Sequence, residues 1–395
     1  MRIAVAGGRL QGLEVVYLAK KAGYRTLVID KSRDVPAAAM CDRFVQFEFT
    51  RECFVPENCP DVDLIVPAIE DREVLSLVEK WAKGKQIPLA FDKNAYALTC
   101  SKHRSDALFE TMNLPAPKAW PGCGFPVIIK PDQASGSRGV SLYRDAAQFH
   151  ADFPDTVIPD TLVAQQYLPG PQFSIEVVGM PGQYLPLGVT DLHMDRVHDC
   201  KQVSAPSRLS PEQVRRLEKM ARILAGKVHL KGIMDLEVVL HEGELKLLEI
   251  DARFPSQTPI AVYWATGINM LQLLAEHFFA SRAPSFRQFP GRWTVVEHIQ
   301  AGPERIRFLG EHIMGRSGPL RLEPGFFGCR EALTNYAPDR SRWAATLIFC
   351  EDSKKALAAA RKACYKQIRE NGWKATKYNA GYVSHGTIRT GKPGS

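Results

Sequence analysis

Short apolar runs alternate with amphipathic segments over the first 92 residues. The runs at 3–6, 26–30, 63–68 and 87–91 predict buried strands, and the segments at 13–22 and 73–82 predict helices. Short apolar strands separated by helices are typical of a parallel sheet with crossover connections. We therefore expect an α/β unit with a Rossmann-like parallel sheet over residues 1–92.

The pattern changes after residue 92. A helix is predicted over 101–112, and two strands, 127–130 and 140–143, flank a loop rich in Gly and Ser. Such a hairpin presents exposed backbone N–H groups at its tip. The runs at 161–168 and 173–180 indicate mostly antiparallel strands from there on.

The second half of the chain contains a helix with a clear start. Ser210-Pro211 supplies a cap and a first-turn proline. Its apolar stripe predicts core packing and comprises Val214, Leu217, Ala221, Leu224 and Val228. Further strands are predicted at 294–298 and 344–349, then a basic helix at 353–371 and a polar, frayed tail after Val383. We expect three units, at 1–92, 93–167 and 168–395.

Composition narrows the class of protein. The 395 residues are 45% hydrophobic and 24% charged, which is typical of a globular chain. No apolar run is long enough to span a membrane, and no leader pattern opens the sequence. The net charge of +8 is scattered, which argues against a nucleic-acid partner. The nine cysteines show no C-x-x-C spacing, so we expect a reduced, cytoplasmic protein with no membrane partner.

The first strand ends in a glycine-rich turn, Gly7-Gly8-Arg9-Leu10-Gln11-Gly12. Its glycine spacing differs from G-x-G-x-x-G, and Leu13 stands where a P-loop needs Lys. Two interpretations remain open, a tight strand-to-helix turn and a helix N-terminus that binds an anion or a substrate carboxylate. The second makes Gly8, Leu10 and Gln11 candidate substrate-binding residues.

A second motif is an acidic hairpin over residues 235–251. With Gly243 at the centre of a three-residue turn, Asp235 faces Asp251 and Glu237 faces Glu249. Alternation along each strand then places four carboxylates on one face, with Leu236, Val238, Leu248 and Ile250 on the other. A two-residue turn would instead shift the register and move Glu237 out of line with Glu249.

Four carboxylates at cross-strand distance repel one another unless cations lie among them. Oxygen ligands suit Mg²⁺, which often bridges carboxylates and nucleotide phosphates. A solvated acidic strand is the alternative. Lys130 and the Gly/Ser loop upstream, and Arg253 two residues after the hairpin, favour a site for metal and phosphate.

The segment Glu237…Glu249-Ile250-Asp251-Ala252-Arg253 resembles the metal-binding hairpin of the ATP-grasp superfamily, usually E…E-x-N-x-R. The resemblance implies an ATP-grasp fold with ATP and Mg²⁺ as cofactors, Glu237, Glu249 and Asp251 as metal ligands, and Arg253 and Lys130 as catalytic residues. It also assigns contacts to the nucleotide. Two lysines and a glycine-rich flap contact the phosphates, a hinge contacts the adenine, and one more lysine adds a phosphate contact. In chain order these residues are Lys102, Lys130, Ser135, Gly136, Ser137, Gly139, Gln165, Gln166, Leu168 and Lys201. The chain departs from the usual pattern at Gln165, Gln172 and Asp251, where Glu, Glu and Asn are common.

Three strings, at 7–12, 249–259 and 310–314, are further similar to the ligases that join 3-methyl-D-ornithine to L-lysine in pyrrolysine biosynthesis. This similarity implies that the ornithine carboxylate is phosphorylated by ATP and that the ε-amine of lysine then displaces the phosphate. Two diamino acids need carboxylates besides the metal ligands. Asp235 and Glu176, with Ser174 on the same strand face as Glu176, are the candidates.

Three alternatives stay open at this point. Another ATP-grasp enzyme, such as a carboxylase or a D-amino-acid ligase, would carry the same hairpin. A nicotinamide oxidoreductase built on residues 1–92 leaves the hairpin and Lys130 unexplained. A non-catalytic ATP-binding protein would not require the carboxylates.

Overall fold

The computed structural model describes residues 1–56, 59–280 and 291–372. The predicted tail after Val383 lies outside these ranges. None of the helices in them combines the length and the apolar character needed to cross a bilayer. The helices are α1 (Leu10–Lys21), α2 (Arg72–Gly84), α3 (Lys93–Thr99), α4 (Lys102–Thr111), α5 (Ala146–Asp152), α6 (Pro211–Lys227), α7 (Thr258–Thr266), α8 (Met270–Ala280), α9 (His312–Gly315) and α10 (Lys354–Asn371).

The N-terminal sheet is parallel, in the order β3-β2-β1-β4. Its apolar strands are buried because helices cover them, as the sequence predicts. The strand predicted at 87–91 is wrong, since only one parallel bridge, between Ile65 and Leu89, forms there. The strands are β1 (Arg2–Ala6), β2 (Arg25–Asp30), β3 (Arg43–Gln46) and β4 (Leu64–Pro67).

A small antiparallel sheet, β6-β5-β7, follows in the chain. Its first two strands flank the Gly/Ser-rich loop, which confirms the predicted hairpin. The helix before this sheet, α4, begins at Ser101, whose hydroxyl accepts a hydrogen bond from the backbone N–H of Arg104. The strands are β5 (Val127–Pro131), β6 (Ser141–Tyr143) and β7 (Leu162–Gln166).

The remaining strands form one large antiparallel sheet, ordered β12-β11-β8-β9-β10-β13-β17-β16-β15, with β14 paired to β13. The predicted strands and the basic helix of the C-terminal part are confirmed, the helix as α10. The strands are β8 (Gln172–Met180), β9 (Gln183–Met194), β10 (Cys200–Ala205), β11 (Gly232–His241), β12 (Glu244–Asp251), β13 (Trp293–Ala301), β14 (Ile306–Phe308), β15 (Arg321–Pro324), β16 (Glu331–Thr334) and β17 (Trp343–Glu351).

Helix α6 covers one side of β8, β11 and β12. Its capping box joins Ser210 and Gln213, and Leu217 and Leu224 lie in one apolar cluster with Phe173, Leu236 and other strand residues. Because side chains alternate along a strand, the polar residues between these apolar ones face away from α6. The predicted α/β class with a parallel N-terminal sheet is thus confirmed, and the acidic residues lie on the side of the large sheet that α6 leaves open.

Candidate active site

Four carboxylates lie opposite one another on β11 and β12. Asp235 pairs with Asp251 and Glu237 with Glu249, so the predicted register is confirmed at these positions. We call these four side chains the acidic face. Strand β8 extends it, since Glu176 lies opposite Asp235 and Ser174 opposite Glu237.

The register arises differently from the prediction. The turn has two central residues, Glu242 and Gly243, both with positive φ (51° and 82°), and not three. This turn alone would offset the acidic pairs by one residue. A bulge at Leu248 adds the missing residue, because Glu237 faces Glu249 while Val238 faces Leu247. Leu247, and not Leu248 as predicted, therefore joins the core.

Arginine and lysine side chains reach two carboxylates of the acidic face. The Arg253 Nε lies 2.7 Å from Oδ2 of Asp251, and its Nη2 lies 3.0 Å from Oε1 of Glu70. The Lys102 Nζ lies 3.3 Å from Oε1 of Glu249 and donates to the carbonyl of Ala134 at 2.7 Å. Arg253 and Lys102 are thus anchored beside the carboxylates that the sequence assigns to metal.

Lys130 lies on β5, next to the Gly/Ser-rich loop. Burial lowers the pKa of its ammonium group, an effect that the nearby Glu249 opposes. Asp106 lies one turn after Lys102 on α4, and its carboxylate interacts electrostatically with both Lys102 and Lys130. Burial raises the pKa of Asp106 to about 6. A phosphate bound here would supply the negative charge that these lysines only partly find in the protein.

The Gly/Ser-rich loop is tied down at both of its serines. The Ser135 hydroxyl donates to Oε2 of Glu70 at 2.6 Å, and the Ser137 hydroxyl donates to the carbonyl of His198 at 2.5 Å. Gly136 and Gly139 have φ of 60° and 74°, and a Cβ at Gly139 would lie 2.8 Å from the Pro131 ring. Glycine is therefore needed at 139 for the loop to turn back onto β5.

The residues assigned to adenine lie along and just beyond β7. Gln165 is buried opposite Ile128, Gln166 donates its backbone N–H to the Lys118 carbonyl, and Leu168 is buried. Gln172 begins β8. Lys201 occupies a bulge in β10, between the paired residues Cys200 and Gln202.

The N-terminal glycine-rich turn has its polar groups engaged within the protein. The N–H of Gly8 donates to Oδ2 of Asp30 at 2.8 Å, and the Gln11 side chain donates to the Phe254 carbonyl. Leu10 contacts α9, since a Cβ at Gly315 would lie 3.6 Å from its Cγ. Gly8, Leu10 and Gln11 therefore hold together the elements around the site, whether or not they also contact a substrate.

Burial raises the pKa of several carboxylates at the site. The pKa rises to about 7 for Glu176, Glu237 and Glu311 and to about 6 for Asp251, and that of Asp235 also lies well above its usual range. In every case desolvation of the charged form is the largest cause. The site thus contains more carboxylates than its lysine and arginine side chains can neutralise.

Sequence reasoning missed two of the residues that meet here. Glu70 follows β4 and joins Arg253 to the Gly/Ser-rich loop. Its position after the carboxyl end of a parallel strand is a signal for a functional residue. Glu311 lies near Gly136, since a Cβ at that glycine would be 3.9 Å from the Glu311 Oε1. Its carboxylate forms a hydrogen bond with the Gln257 side chain and is repelled by Glu237. Glu311 falls within the string 310–314, which indicates the family and does not by itself indicate a role for this glutamate.

Comparison with known proteins decides the family. A sequence model of the ATP-grasp domain matches residues 101–257. A 3-methyl-D-ornithine–L-lysine ligase from Methanosarcina mazei is 34% identical over 316 residues, which cover 79% of this chain and 77% of that protein. The same ligase from Methanosarcina barkeri is 32% identical, covering 82% of this chain and 87% of that protein. The chain belongs to this family of ATP-grasp ligases.

The fold agrees with that assignment. The biotin carboxylase domain of Hydrogenobacter thermophilus 2-oxoglutarate carboxylase, solved with MgADP, ADP and bicarbonate, superposes with a TM-score of 0.69. It is 16% identical, and the match covers 92% of this chain and 89% of that one. ATP-grasp ligases of this kind form ADP, so ATP and Mg²⁺ are the cofactors expected for this enzyme, and the oxidoreductase alternative is excluded.

The carboxylates of this ATP-grasp ligase fit a magnesium ion in their chemistry. Oδ1 of Asp251 is buried without a hydrogen-bond partner in the described ranges, and Glu237 and Glu249 face each other beside it. Within those same ranges, no three acidic, His or Cys side chains already converge on one point. Asp251 and Glu249 are turned toward Arg253 and Lys102 instead.

Proposed function

We propose that this enzyme joins the carboxylate of 3-methyl-D-ornithine to the ε-amine of L-lysine, as a cytoplasmic step of pyrrolysine biosynthesis. The observation that supports the proposal is the excess of carboxylates over cationic side chains at the site. Glu176 and Glu311 are buried, Asp235 and Glu237 are half-buried, and none of the four has an ion-pair partner within the described residues. Buried carboxylates need cations, and diamino acids bring several ammonium groups.

The residues divide into three groups in this proposal. Lys102, Lys130 and the Gly/Ser-rich loop bind the phosphates of ATP, and Lys201 contributes a further contact. Gln165, Gln166 and Leu168 bind the adenine. Glu237, Glu249 and Asp251 hold Mg²⁺, which neutralises charge on the phosphates when it is bound.

The chemistry then proceeds in two displacements. The ornithine carboxylate attacks the γ-phosphate, which leaves ADP and an acyl phosphate. The deprotonated ε-amine of lysine attacks the acyl carbon, and phosphate departs. Arg253, anchored between Asp251 and Glu70, stabilises the charge on the acyl phosphate and on the tetrahedral oxyanion.

An ADP-release assay tests this function. The enzyme is given Mg²⁺, ATP and L-lysine, with D-ornithine as an available analogue, and products are identified by mass spectrometry. We expect ADP together with an ornithinyl-lysine amide. ADP release without a lysine-containing product would contradict the proposed substrates while leaving an ATP-grasp ligase. In that case other carboxylate and amine pairs become the candidates.

Asp235→Asn tests the proposed contact with a substrate ammonium group. Asp235 lies between Asp251 and Glu176 in the sheet, and no ion pair to it is found among the described residues. A hydrogen bond to a charged group is worth about 1.5–3 kcal/mol, so we expect the KM for the diamino acid to rise by about 10–100-fold. The KM for ATP should change much less. Equal increases in both constants would show that Asp235 acts on the site as a whole.

A further inference from the structure

A second cavity lies in the C-terminal part of the large sheet. Its volume is about 450 Å³, within the range of pockets that bind small molecules. Ten residues line it, and they include Arg316, Arg340 and Arg342 but no Asp or Glu. The walls come from four places along the chain: helix α9 with the residues after it, the segment between β16 and β17, the start of β17, and β13.

The three arginines are exposed, and all of them lack an ion-pair partner among the described residues. In residues 1–56, 59–280 and 291–372 none of them has an ion pair, whereas Arg208, Arg253, Arg292 and Arg361 each pair with a carboxylate. Three guanidinium groups around one concavity repel one another and raise the local positive potential. An anion relieves this repulsion, and the planar donors of arginine suit phosphoryl oxygens.

The rest of the wall is fixed in place. Trp343 also lines the cavity, and its ring packs among Phe326, Phe327 and Tyr336. Asn335 and Ser317, also in the wall, bond within the protein, which fixes their positions.

We propose that this cavity binds a small phosphate-bearing anion, at a site separate from the acidic face. The guanidinium groups of Arg316, Arg340 and Arg342 neutralise its charge. The cavity adjoins the active site through His312, which lines the cavity, forms a hydrogen bond with Asp199 and follows Glu311 in the chain. The ligand is free phosphate or a phosphate ester, which share the phosphoryl group.

Calorimetric titration of the full chain tests the site. The ATP site is first saturated with Mg²⁺ and a non-hydrolysable ATP analogue, so that its phosphate contacts are filled. Inorganic phosphate and glycerol 3-phosphate are then titrated separately. We expect saturable binding of at least one of them. Binding of only one probe identifies the source of the phosphoryl group, and binding of neither overturns the proposal.

Matched triple variants locate the binding. Arg316→Gln, Arg340→Gln and Arg342→Gln together should weaken it by at least about tenfold. The control replaces Arg25, Arg215 and Arg369 with Gln, which changes the net charge equally at exposed arginines outside the cavity. Equal weakening in both variants would overturn the site. Arg340→Gln alone should also weaken binding and gives a second test if the triple variant does not fold.

Discussion

Arg253→Gln is expected to lower kcat for amide formation by about 10²–10³-fold, the usual cost of losing a group that stabilises developing negative charge. Arg253 is held by Asp251 and Glu70, so its guanidinium group is positioned before the reaction begins. Glutamine retains hydrogen-bonding ability but removes the charge and the forked donors. The measurement is steady-state ADP release at saturating ATP and amino acids, with the amide quantified by mass spectrometry.

Two variants separate this catalytic effect from loss of structure. Arg208 forms an ion pair with Asp191 at 3.2 Å and lies over the Phe173 ring, on the α6 side of the sheet. Arg208→Gln therefore removes a comparable ion pair and should leave kcat close to the wild-type value. Arg253→Lys keeps the charge but lacks the forked donors of the guanidinium group. Its kcat should lie between those of wild type and Arg253→Gln. Similar losses in Arg208→Gln and Arg253→Gln would contradict the role of Arg253.

The sequence predicts most of the fold because its signals are local. Buried parallel strands appear as continuous apolar runs, and α6 shows both its cap and its apolar stripe. The run at 87–91 fails as a strand because only Leu89 pairs with the edge strand β4, through Ile65. An apolar run records burial and does not specify how many of its residues pair.

The acidic face shows how a correct register can follow from an incorrect turn. Alternation and spacing are enough to place Glu237 opposite Glu249, but they cannot distinguish a three-residue turn from a two-residue turn with a bulge. The bulge at Leu248 depends on how Leu247 and Ile250 pack against the core below. That packing is tertiary, and no local signal near residue 248 predicts it.

Glu70 and Glu311 were missed for a related reason. Each lies far along the chain from the residues it meets, Glu70 in the N-terminal unit and Glu311 just before α9. Neither belongs to a motif with characteristic spacing. Only the fold brings them to Arg253 and to the Gly/Ser-rich loop, so long-range contacts of this kind require a structure.

Glu249→Gln is expected to reduce kcat/KM by at least about 100-fold and to raise the Mg²⁺ concentration needed for half-maximal rate. Glu249 faces Glu237, and its Oε1 lies 3.3 Å from the Lys102 Nζ. The substitution keeps the side-chain size but removes the charge that pairs with this lysine and that, in the proposal, binds a metal ion. Losing a group that only supports a metal ligand costs about 10–100-fold, so losing a ligand should cost at least as much.

Glu244→Gln is the matched control, because Glu244 lies on the same strand but pairs with exposed Arg216 at the end of the hairpin. It should retain the wild-type rate and Mg²⁺ dependence. Titrating Mg²⁺ at fixed ATP distinguishes the two roles of Glu249. If its main role is to orient Lys102, the rate falls at every Mg²⁺ concentration without a shift in the midpoint. A shifted midpoint in Glu249→Gln, with none in Glu244→Gln, is the result that the proposed metal site requires, because loss of a ligand weakens binding of the ion.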